Sequence, residues 1–456
     1  VFKLNVVILA AGAGKRMRSS LPKVLHTLAG YPLLMHVTNT TRLLMPDKIC
    51  VVIGHGGEVV KQSMPDSDLT WVVQEHQLGT GHALMQVQPY LDMDGSTLVL
   101  YGDVPLVSRD TLQKLIVSAH EKYCTLLTAT VADPTGYGRI VRDSRTNAIT
   151  AIVEQKDASA EQRNICEINT GIMLIPNIYL HEWLPSIENT NAQHEYYLTD
   201  IIAMATKQGV PVSSIQPANL WEVMGVNDKY QLAQLERIYQ EEYANKLLEQ
   251  GVSLADPARI DIRGKLHCGT DVKIDINCIF EGIVKLNDGV QIGANCILKN
   301  ATVAAGTVIH PYSLIDGAEI GENCKIGPYA RIRPGTKLLS EVHIGNFVEV
   351  KNSRIASGSK ANHLSYIGDS IVGKNVNIGA GTITCNYDGA NKHQTIIEDD
   401  VFVGSDTQLV APVKIAKGST IGAGSTITKD TSEGALTLSR AKQVSFFEWK
   451  RPTKSK

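Results

Sequence analysis

An aliphatic residue recurs every six positions through the second half of the chain. Ile320, Ile326, Ile332, Leu338, Ile344 and Val350 form one unbroken run, and Ile397, Val403, Leu409, Ile415, Ile421 and Ile427 form another. Small or short residues (Cys324, Ala330, Thr336, Thr407, Ser419 and Ser425) stand four places after several of them, and glycine follows directly at 321, 327, 345, 404 and 422. A period of six fits neither the 3.6 of a helix nor the 2 of a simple strand. It fits a solenoid in which each hexad is one short strand and a turn. Three hexads then close a coil of roughly 18 residues, and stacked coils bury the aliphatic column. The repeat predicts a parallel β-helix from about residue 260 to 430. Composition agrees: aromatics are only 5%, with 6 Phe against 38 Gly, so the core must be filled by smaller aliphatic side chains.

The first half has a different grammar. From residue 1 to about 226, short apolar runs (Val6–Ala11, Ile49–Ile53, Trp71–Val73, Thr97–Tyr101, Thr125–Val131) alternate with helical stretches such as Leu33–Leu44, Gly81–Val87 and Arg109–Tyr123. Continuous apolar strands separated by helices imply a mostly parallel sheet covered on both faces, an open α/β fold. Ligands of such sheets bind at the carboxyl ends of the strands. Residues 228–250 read as one long helix, with Asp228 as its cap, Gln231 three places on and Gly251 past its end. Leu232, Leu235, Tyr239, Tyr243 and Leu247 recur along one face. This rod of ~35 Å is expected to link two domains, 1–227 and 251–456.

Bulk properties exclude several classes. A net charge of -2, from 44 basic and 46 acidic residues, argues against binding nucleic acid through bulk electrostatics. The eight cysteines, at 50, 124, 166, 268, 278, 296, 324 and 385, contain no CxxC pair, so neither a structural zinc nor a disulfide scaffold is expected. A reducing cytoplasm is the simplest compartment. No apolar run approaches the ~20 residues of a membrane span, and Val6–Ala11 followed by Lys15-Arg16-Met17-Arg18 reads as a buried strand rather than a leader.

Two strand ends carry chemistry. Leu9-Ala10-Ala11-Gly12-Ala13-Gly14-Lys15-Arg16-Met17 follows the first strand. Its glycines allow a tight turn that aims backbone N–H groups at a phosphate, and Arg16, with Lys23 after Pro22, adds positive charge. The full dinucleotide fingerprint and the P-loop are both missing, which disfavours dinucleotide redox chemistry and ordinary ATP hydrolysis. Tyr101-Gly102-Asp103-Val104-Pro105 ends another strand, where an aspartate can hold Mg²⁺ against phosphates.

These motifs, with Gly136-Tyr-Gly-Arg-Ile, Glu154-Gln-Lys-Asp, Asn169-Thr-Gly and Gly225-Val-Asn, occur in an order that resembles the sugar nucleotidyltransferases. Joined to a hexapeptide β-helix, the chain is similar over nearly its whole length to bacterial members with a Rossmann-like α/β nucleotidyltransferase domain, a linker helix and a left-handed parallel β-helix. The resemblance implies that Leu9, Ala10, Ala11, Gly12, Arg16, Lys23, Gln74, Gly79, Thr80, Tyr101, Gly102, Asp103, Gly138, Glu154, Asn169 and Asn227 contact the UTP or UDP-sugar. Asp103 and Asn227 would hold Mg²⁺. The loop departs from the family's usual G-x-G-T-R-M: Lys15 replaces the Thr, and Ala13 stands where Lys is common.

In the second half the hexad register breaks twice. With Ala361 and Ile367 in the column, His363 occupies a slot that elsewhere holds Glu322, Pro328, Pro334, Ser340, Asn346, Asn352 and Asp369, mostly turn formers. An imidazole has no local reason to be there. The other break is the polar excursion from Thr384 to Thr395; on pattern alone it reads equally as a tolerated insertion or a binding loop. The resemblance implies acetyl transfer from acetyl-CoA to glucosamine 1-phosphate between neighbouring β-helices of a homotrimer. His363 would be the general base, Arg333, Lys351, Tyr366 and Asn377 would hold the sugar phosphate, and Ala380, Asn386, Tyr387, Ser405, Ala423 and Arg440 would line the acetyl-CoA site. A protonated amine cannot attack a thioester, and imidazole is suited to take its proton.

The expected activity is therefore double: acetylation of glucosamine 1-phosphate, then uridylyl transfer from UTP to N-acetylglucosamine 1-phosphate, in the cytoplasm, with small molecules and no nucleic acid as partners. The competing reading is a single-activity sugar-phosphate nucleotidyltransferase with a structural or regulatory β-helix. His363 and the Asn386-Tyr387 loop argue against it. The basic tail, Lys450 to Lys456, is given no role.

Overall fold

The computed structural model describes residues 3–54, 56–64, 67–118 and 123–454. The chain divides into two compact units, Val1–Tyr239 and Gln240–Lys456.

The first unit is built on a twisted sheet. Its strands are β1 (Leu4–Leu9), β2 (Lys48–Ile53), β3 (Leu69–Val73), β4 (Ser96–Tyr101), β5 (Cys124–Thr130), β6 (Gly138–Arg142), β7 (Ile149–Val153), β8 (Glu167–Pro176) and β9 (Val212–Ile215). The order is β9-β5-β8-β4-β1-β2-β3, with β6 and β7 appended beside β8. Successive residues feed opposite cores. Val6, Ile8, Leu98 and Leu100 belong to one cluster, with Leu34, Val37, Leu112 and Leu115 of helices α1 (Leu33–Arg42) and α2 (Arg109–Ser118). Val7, Cys50 and Val99 belong to the other, with Leu84 and Ile202. Burial on both faces is why these strands read as continuous apolar runs. The predicted helix Arg109–Tyr123 is observed to Ser118, and residues 119–122 lie outside the described ones.

The sheet is mostly parallel, as expected, with one reversed strand in its main order and one hairpin. Strands β1, β2, β3 and β4 are mutually parallel, as are β5 and β9, but β8 runs antiparallel to β4, β5 and β6. Strands β6 and β7 form an antiparallel hairpin. The sheet is mixed because the chain between β5 and β8 turns back through short loops, such as the one braced by Asp143 accepting N–H groups of Arg145 and Thr146. A parallel return needs a crossover; an antiparallel one does not.

The helix predicted over 228–250 is found at Lys229–Glu249. Asp228 Oδ1 accepts the Gln231 N–H at 2.8 Å, and Gly251 follows in the left-handed region at φ 89°. Leu235 is buried in a cluster with Met17, Leu28 and Val226, whereas Ala244 and Leu247 belong to the β-helix core.

The second unit is the parallel β-helix, with strands from Ser253–Leu254 to Leu436–Thr437, a little beyond the predicted span at each end. Ile320 pairs with Leu338, Ile326 with Ile344 and Ile332 with Val350, each eighteen positions on and parallel. Three hexads therefore make one coil. The stretch between the two sequence runs continues the same stack: Val350 pairs with Ile367, and Ile344 with Ala361 and then Ile378, at seventeen-residue steps. Dropping one residue at a corner hides the period in the sequence without interrupting the ladder. The aliphatic column is buried throughout, and the short residues beside it are equally buried. Their hydroxyls stay satisfied locally: Thr407 Oγ1 donates to Gly404 O at 2.7 Å. Glycine after the aliphatic residue is a spacing requirement, since a Cβ at Gly345 would lie 2.2 Å from Asn362 O of the next coil.

Candidate active sites

The first site forms where β1 and β4 end side by side. Ala10 N–H donates to Val52 O and Gly102 N–H to Leu9 O, which fixes the two exits. Buried Met17 anchors the glycine loop. Gly14 has φ 60°, and a Cβ there would come within 2.8 Å of Lys23 Cβ, so only glycine lets the loop close over that lysine. A short turn, Lys23–Leu25, then brings the Lys23 ammonium onto the Asp103 carboxylate. The same nitrogen lies 3.3 Å from Asn227 Oδ1. Asn227 is held in place because Val226 N–H donates to Asp103 O and Asn227 N–H donates to Gln231 Oε1, both at 2.8 Å.

A cavity of about 310 Å³ opens here. Its walls include Leu9, Ala10, Ala11, Gly12, Lys23, Gln74, Gly79, Thr80, Tyr101 and Asp103, all singled out from sequence, together with Gln77 and Glu195, which were not. No local pattern marks those two; only the fold delivers them. Gln74 is buried and aimed by its amide, which donates to Gly79 O at 3.1 Å. Gly102 packs beneath Ala10. Arg16 and Lys15 are exposed on the loop, outside the cavity wall.

Gly138, Glu154 and Asn169 gather on neighbouring strands rather than on that wall. Gly138 pairs with Asn169, and Arg139 pairs with Val153, the residue before Glu154. Tyr101 joins this group to the cavity. Its ring packs against Gly171, and its hydroxyl is pushed up by burial and by the nearby Glu154 and Asp103 carboxylates. Glu154 itself is raised above the usual carboxylate range by burial, reinforced by Asp157 and Asp200 and opposed by a Thr199 hydroxyl bond and by Arg139.

The donor set of Asp103 and Asn227 suits Mg²⁺. Two hard oxygens converge on one cationic nitrogen, Lys23 Nζ. Among the described residues no group of three or more His, Cys, Asp or Glu could hold a metal ion. That sparse set is what Mg²⁺ prefers when phosphates and water complete its shell.

The second group of residues lies on the β-helix. His363 ends the strand Lys360–His363, opposite Asn346 of the coil before it. Its carbonyl is pinned by Ser365 Oγ at 2.8 Å and by the Gly381 N–H at 3.4 Å. Its exposed ring makes no side-chain hydrogen bond to another described residue. The His363 backbone is held on the coil while its imidazole is exposed.

Lys351 and Asn386 come together around Asp369, and the Tyr366 ring lies over the neighbouring Gly368. Asn352 Nδ2 donates to Asp369 Oδ1 at 2.6 Å, and Asn386 Nδ2 donates to its other oxygen. Burial works against its charge, yet those amides and the Lys351 and Lys392 ammonium groups hold Asp369 below the usual carboxylate range. Lys392 was missed in the sequence. It lies on the excursion loop, close enough to Lys351 that the two cations lower its pKa. Arg333 is turned toward Glu349, 2.7 Å away, and Asn377 pairs with Lys360 on the flank that carries His363. Ala380, Ser405 and Ala423 belong to successive coils, tied by Asp406 N–H to Ala380 O and Gly424 N–H to Ser405 O. Arg440 reaches the last of them, donating to Ala423 O at 2.9 Å. Tyr387 is exposed at the start of the excursion.

Family comparisons divide the chain in the same sense. Residues 6–251 match the MobA-like NTP transferase domain, 262–343 the GMPPB C-terminal domain, and 394–429 the bacterial transferase hexapeptide (six repeats). Among curated relatives, the chain is 69% identical to the bifunctional protein GlmU of Nitrosospira multiformis, over 99% of this chain and 98% of the relative. It is 63% identical to that of Nitrosomonas eutropha and 64% to that of Nitrosomonas europaea, in both cases over the full length of both chains.

Proposed function

This chain belongs to the bifunctional GlmU family, and from that membership we propose a two-step synthesis of UDP-N-acetylglucosamine. The β-helix transfers acetyl from acetyl-CoA to the amine of glucosamine 1-phosphate. The nucleotidyltransferase unit then transfers uridylyl from UTP to N-acetylglucosamine 1-phosphate and releases pyrophosphate.

In the uridylyl step the sugar phosphate oxygen attacks the α-phosphorus of UTP, and the leaving pyrophosphate departs on the far side. This chain's contribution is alignment and charge. The backbone N–H groups of Ala11 and Gly12, past the end of the strand, face the phosphates, and Lys23 supplies a fixed cation beside the developing negative charge. Gln74, Gly79 and Thr80 border the nucleotide side of the cavity, while Gly138, Glu154 and Asn169 take the sugar. When bound at Asp103 and Asn227, Mg²⁺ would add charge neutralisation across the phosphates.

In the acetyl step Lys351 and Lys392 present paired cations to the sugar phosphate, with Arg333, Tyr366 and Asn377 completing its hold. His363 takes the proton from the amine as that nitrogen attacks the thioester carbon, and CoA leaves as its thiol. Ala380, Asn386, Tyr387, Ser405, Ala423 and Arg440 form the acetyl-CoA surface. The exposed imidazole supports a homotrimer in which a neighbouring β-helix completes the site. So does an exposed ladder of stacked rings, Tyr312, Tyr329 and Phe347, which leads up to Leu364 beside it. Eight free cysteines support a cytoplasmic location. Among the described residues no helix is long and apolar enough to cross a membrane.

The observation that carries the first site is the convergence of Asp103 and Asn227 on Lys23, with Lys23 and Asp103 in the wall of one cavity. Asp103→Ala should lower uridylyl transfer at least ~10²-fold, the scale of losing charge stabilisation at a reacting centre, and leave acetyl transfer nearly unchanged. Uridylyl transfer near wild type in that variant would remove Asp103 from the site.

A further inference from the structure

Arg139 is among the largest fully buried side chains of the protein, with 1% of its surface exposed. Among the described residues it has no ion-pair partner within salt-bridge distance, and its Nε is buried without a hydrogen bond. The hydrogen bonds it does make go to neutral oxygens: Nη1 to Tyr137 O, and Nη2 to Gln155 Oε1 at 2.5 Å and Arg163 O at 3.5 Å. Gln155 Oε1 also accepts the Gly136 N–H at 3.3 Å. A guanidinium buried without a carboxylate partner is costly, and its retention calls for a use.

The strands around it suggest that use. Gly138 pairs with Asn169 on one side, and Arg139 pairs with Val153 on the other, so the Arg139 strand is the rib between all three residues assigned to the sugar. The Glu154 carboxylate lies against Gly138, where an added Cβ would come within 3.2 Å of Oε1. Its own hydrogen bond is to Thr199 Oγ1 at 3.2 Å.

We propose that Arg139 is the positioning residue of the sugar half of the uridylyl-transfer site, its planar fork locking Tyr137, Gly138 and Gln155 in place and its charge serving as the buried counter-charge to Glu154. This rests on the reading that Gly138, Glu154 and Asn169 hold the sugar. The fork is what distinguishes arginine from lysine here: one rigid group reaches the Tyr137 carbonyl, the Gln155 amide and the Arg163 carbonyl at once. The charge matters because the groups facing Glu154 otherwise push it toward the neutral form. Burial favours the neutral form, reinforced by Asp157 and by Asp200 of the helix Asp200–Lys207, with the Tyr101 and Tyr197 hydroxyls nearby; the Thr199 hydroxyl and the Arg139 charge oppose it. An ionised Glu154 accepts two or more sugar hydroxyl bonds, whereas a protonated one loses acceptor capacity.

The test uses the full-length enzyme with Arg139→Gln, Arg139→Lys and Glu154→Gln, varying N-acetylglucosamine 1-phosphate and UTP separately across a pH series. Arg139→Gln should raise KM for the sugar phosphate ~10-fold, a loss of binding shared by ground and transition states. KM for UTP and acetyl transfer should be unchanged. Without the counter-charge Glu154 protonates more readily, so the rise of sugar-phosphate KM on acidification should begin at higher pH than in wild type. Arg139→Lys should restore that pH limb but keep a raised KM, because the charge returns and the fork does not. Equal rises in both KM values with a lowered thermal midpoint would assign Arg139 to folding alone and overturn the proposal. So would an unmoved pH limb in Arg139→Gln alongside a normal defect in Glu154→Gln. An unaltered sugar-phosphate KM in Glu154→Gln would instead overturn the sugar-site reading beneath it.

Discussion

His363 illustrates how a single side chain can be read twice. In the sequence it stands out because its slot otherwise carries turn formers. In the structure its carbonyl is held from two sides while its ring is exposed. His363→Asn separates the roles, because Asn already fills that slot at 346 and 352 and keeps the backbone comfortable. Acetyl transfer should fall ~10²–10⁴-fold, the usual share of a general base, and the loss should shrink at higher pH as more amine is already unprotonated. Full acetyl transfer in the variant would return His363 to a structural role. The residues that escaped the sequence, Gln77, Glu195 and Lys392, share one property: each reaches its site from a loop with no period and no motif. Arg139 was quoted within a motif, yet nothing in the order of residues announces that it is buried without a carboxylate.

At the scale of elements, legibility followed periodicity. The aliphatic column of the β-helix was readable wherever coils kept three full hexads, and it vanished between Val350 and Ile397 because those coils drop a corner residue or carry the excursion. Strands β1 to β5 of the first unit were readable from their apolar runs, whereas the short parallel strand β9 was not. Strand β8 and the β6–β7 hairpin were not: β8 is buried along most of its length, but an antiparallel return needs no helix to mark it. The excursion is the element with the most to test. Asp388 accepts the Ala390 and Asn391 N–H groups at 2.8 and 2.6 Å and pairs with His393 Nε2 at 2.6 Å, and His393 N–H donates to Asn386 O. The Asn391 backbone bond, the His393 contact and the Ala390 bond together hold the Asp388 carboxyl far below its usual range. A depressed carboxyl contributes order that is complete above its unfolded value near ~3.9 and is lost only as pH falls through the folded value. The loop should therefore stay braced throughout mildly acidic conditions. Asp388→Ala should raise KM for acetyl-CoA ~10-fold, the scale of losing charge-assisted hydrogen bonds. An unchanged KM would make the loop's internal bracing irrelevant to acetyl-CoA.

For the whole molecule, the central claim is that one chain carries two transferases and that the product of one is the substrate of the other. Each unit has its own core and its own group of candidate residues, and the residues of the long helix divide between the two cores, Leu235 in one and Leu247 in the other. The most direct measurement is mass spectrometry of the products that one preparation forms from glucosamine 1-phosphate, acetyl-CoA, UTP and Mg²⁺, with one reagent omitted at a time. UDP-N-acetylglucosamine should form only in the complete mixture. Omitting UTP should stop the reaction at N-acetylglucosamine 1-phosphate with CoA thiol released, and omitting acetyl-CoA should leave glucosamine 1-phosphate unacetylated. A preparation that converts supplied N-acetylglucosamine 1-phosphate and UTP to UDP-N-acetylglucosamine, yet releases no CoA thiol from glucosamine 1-phosphate and acetyl-CoA, would contradict the account and reduce the β-helix to a scaffold.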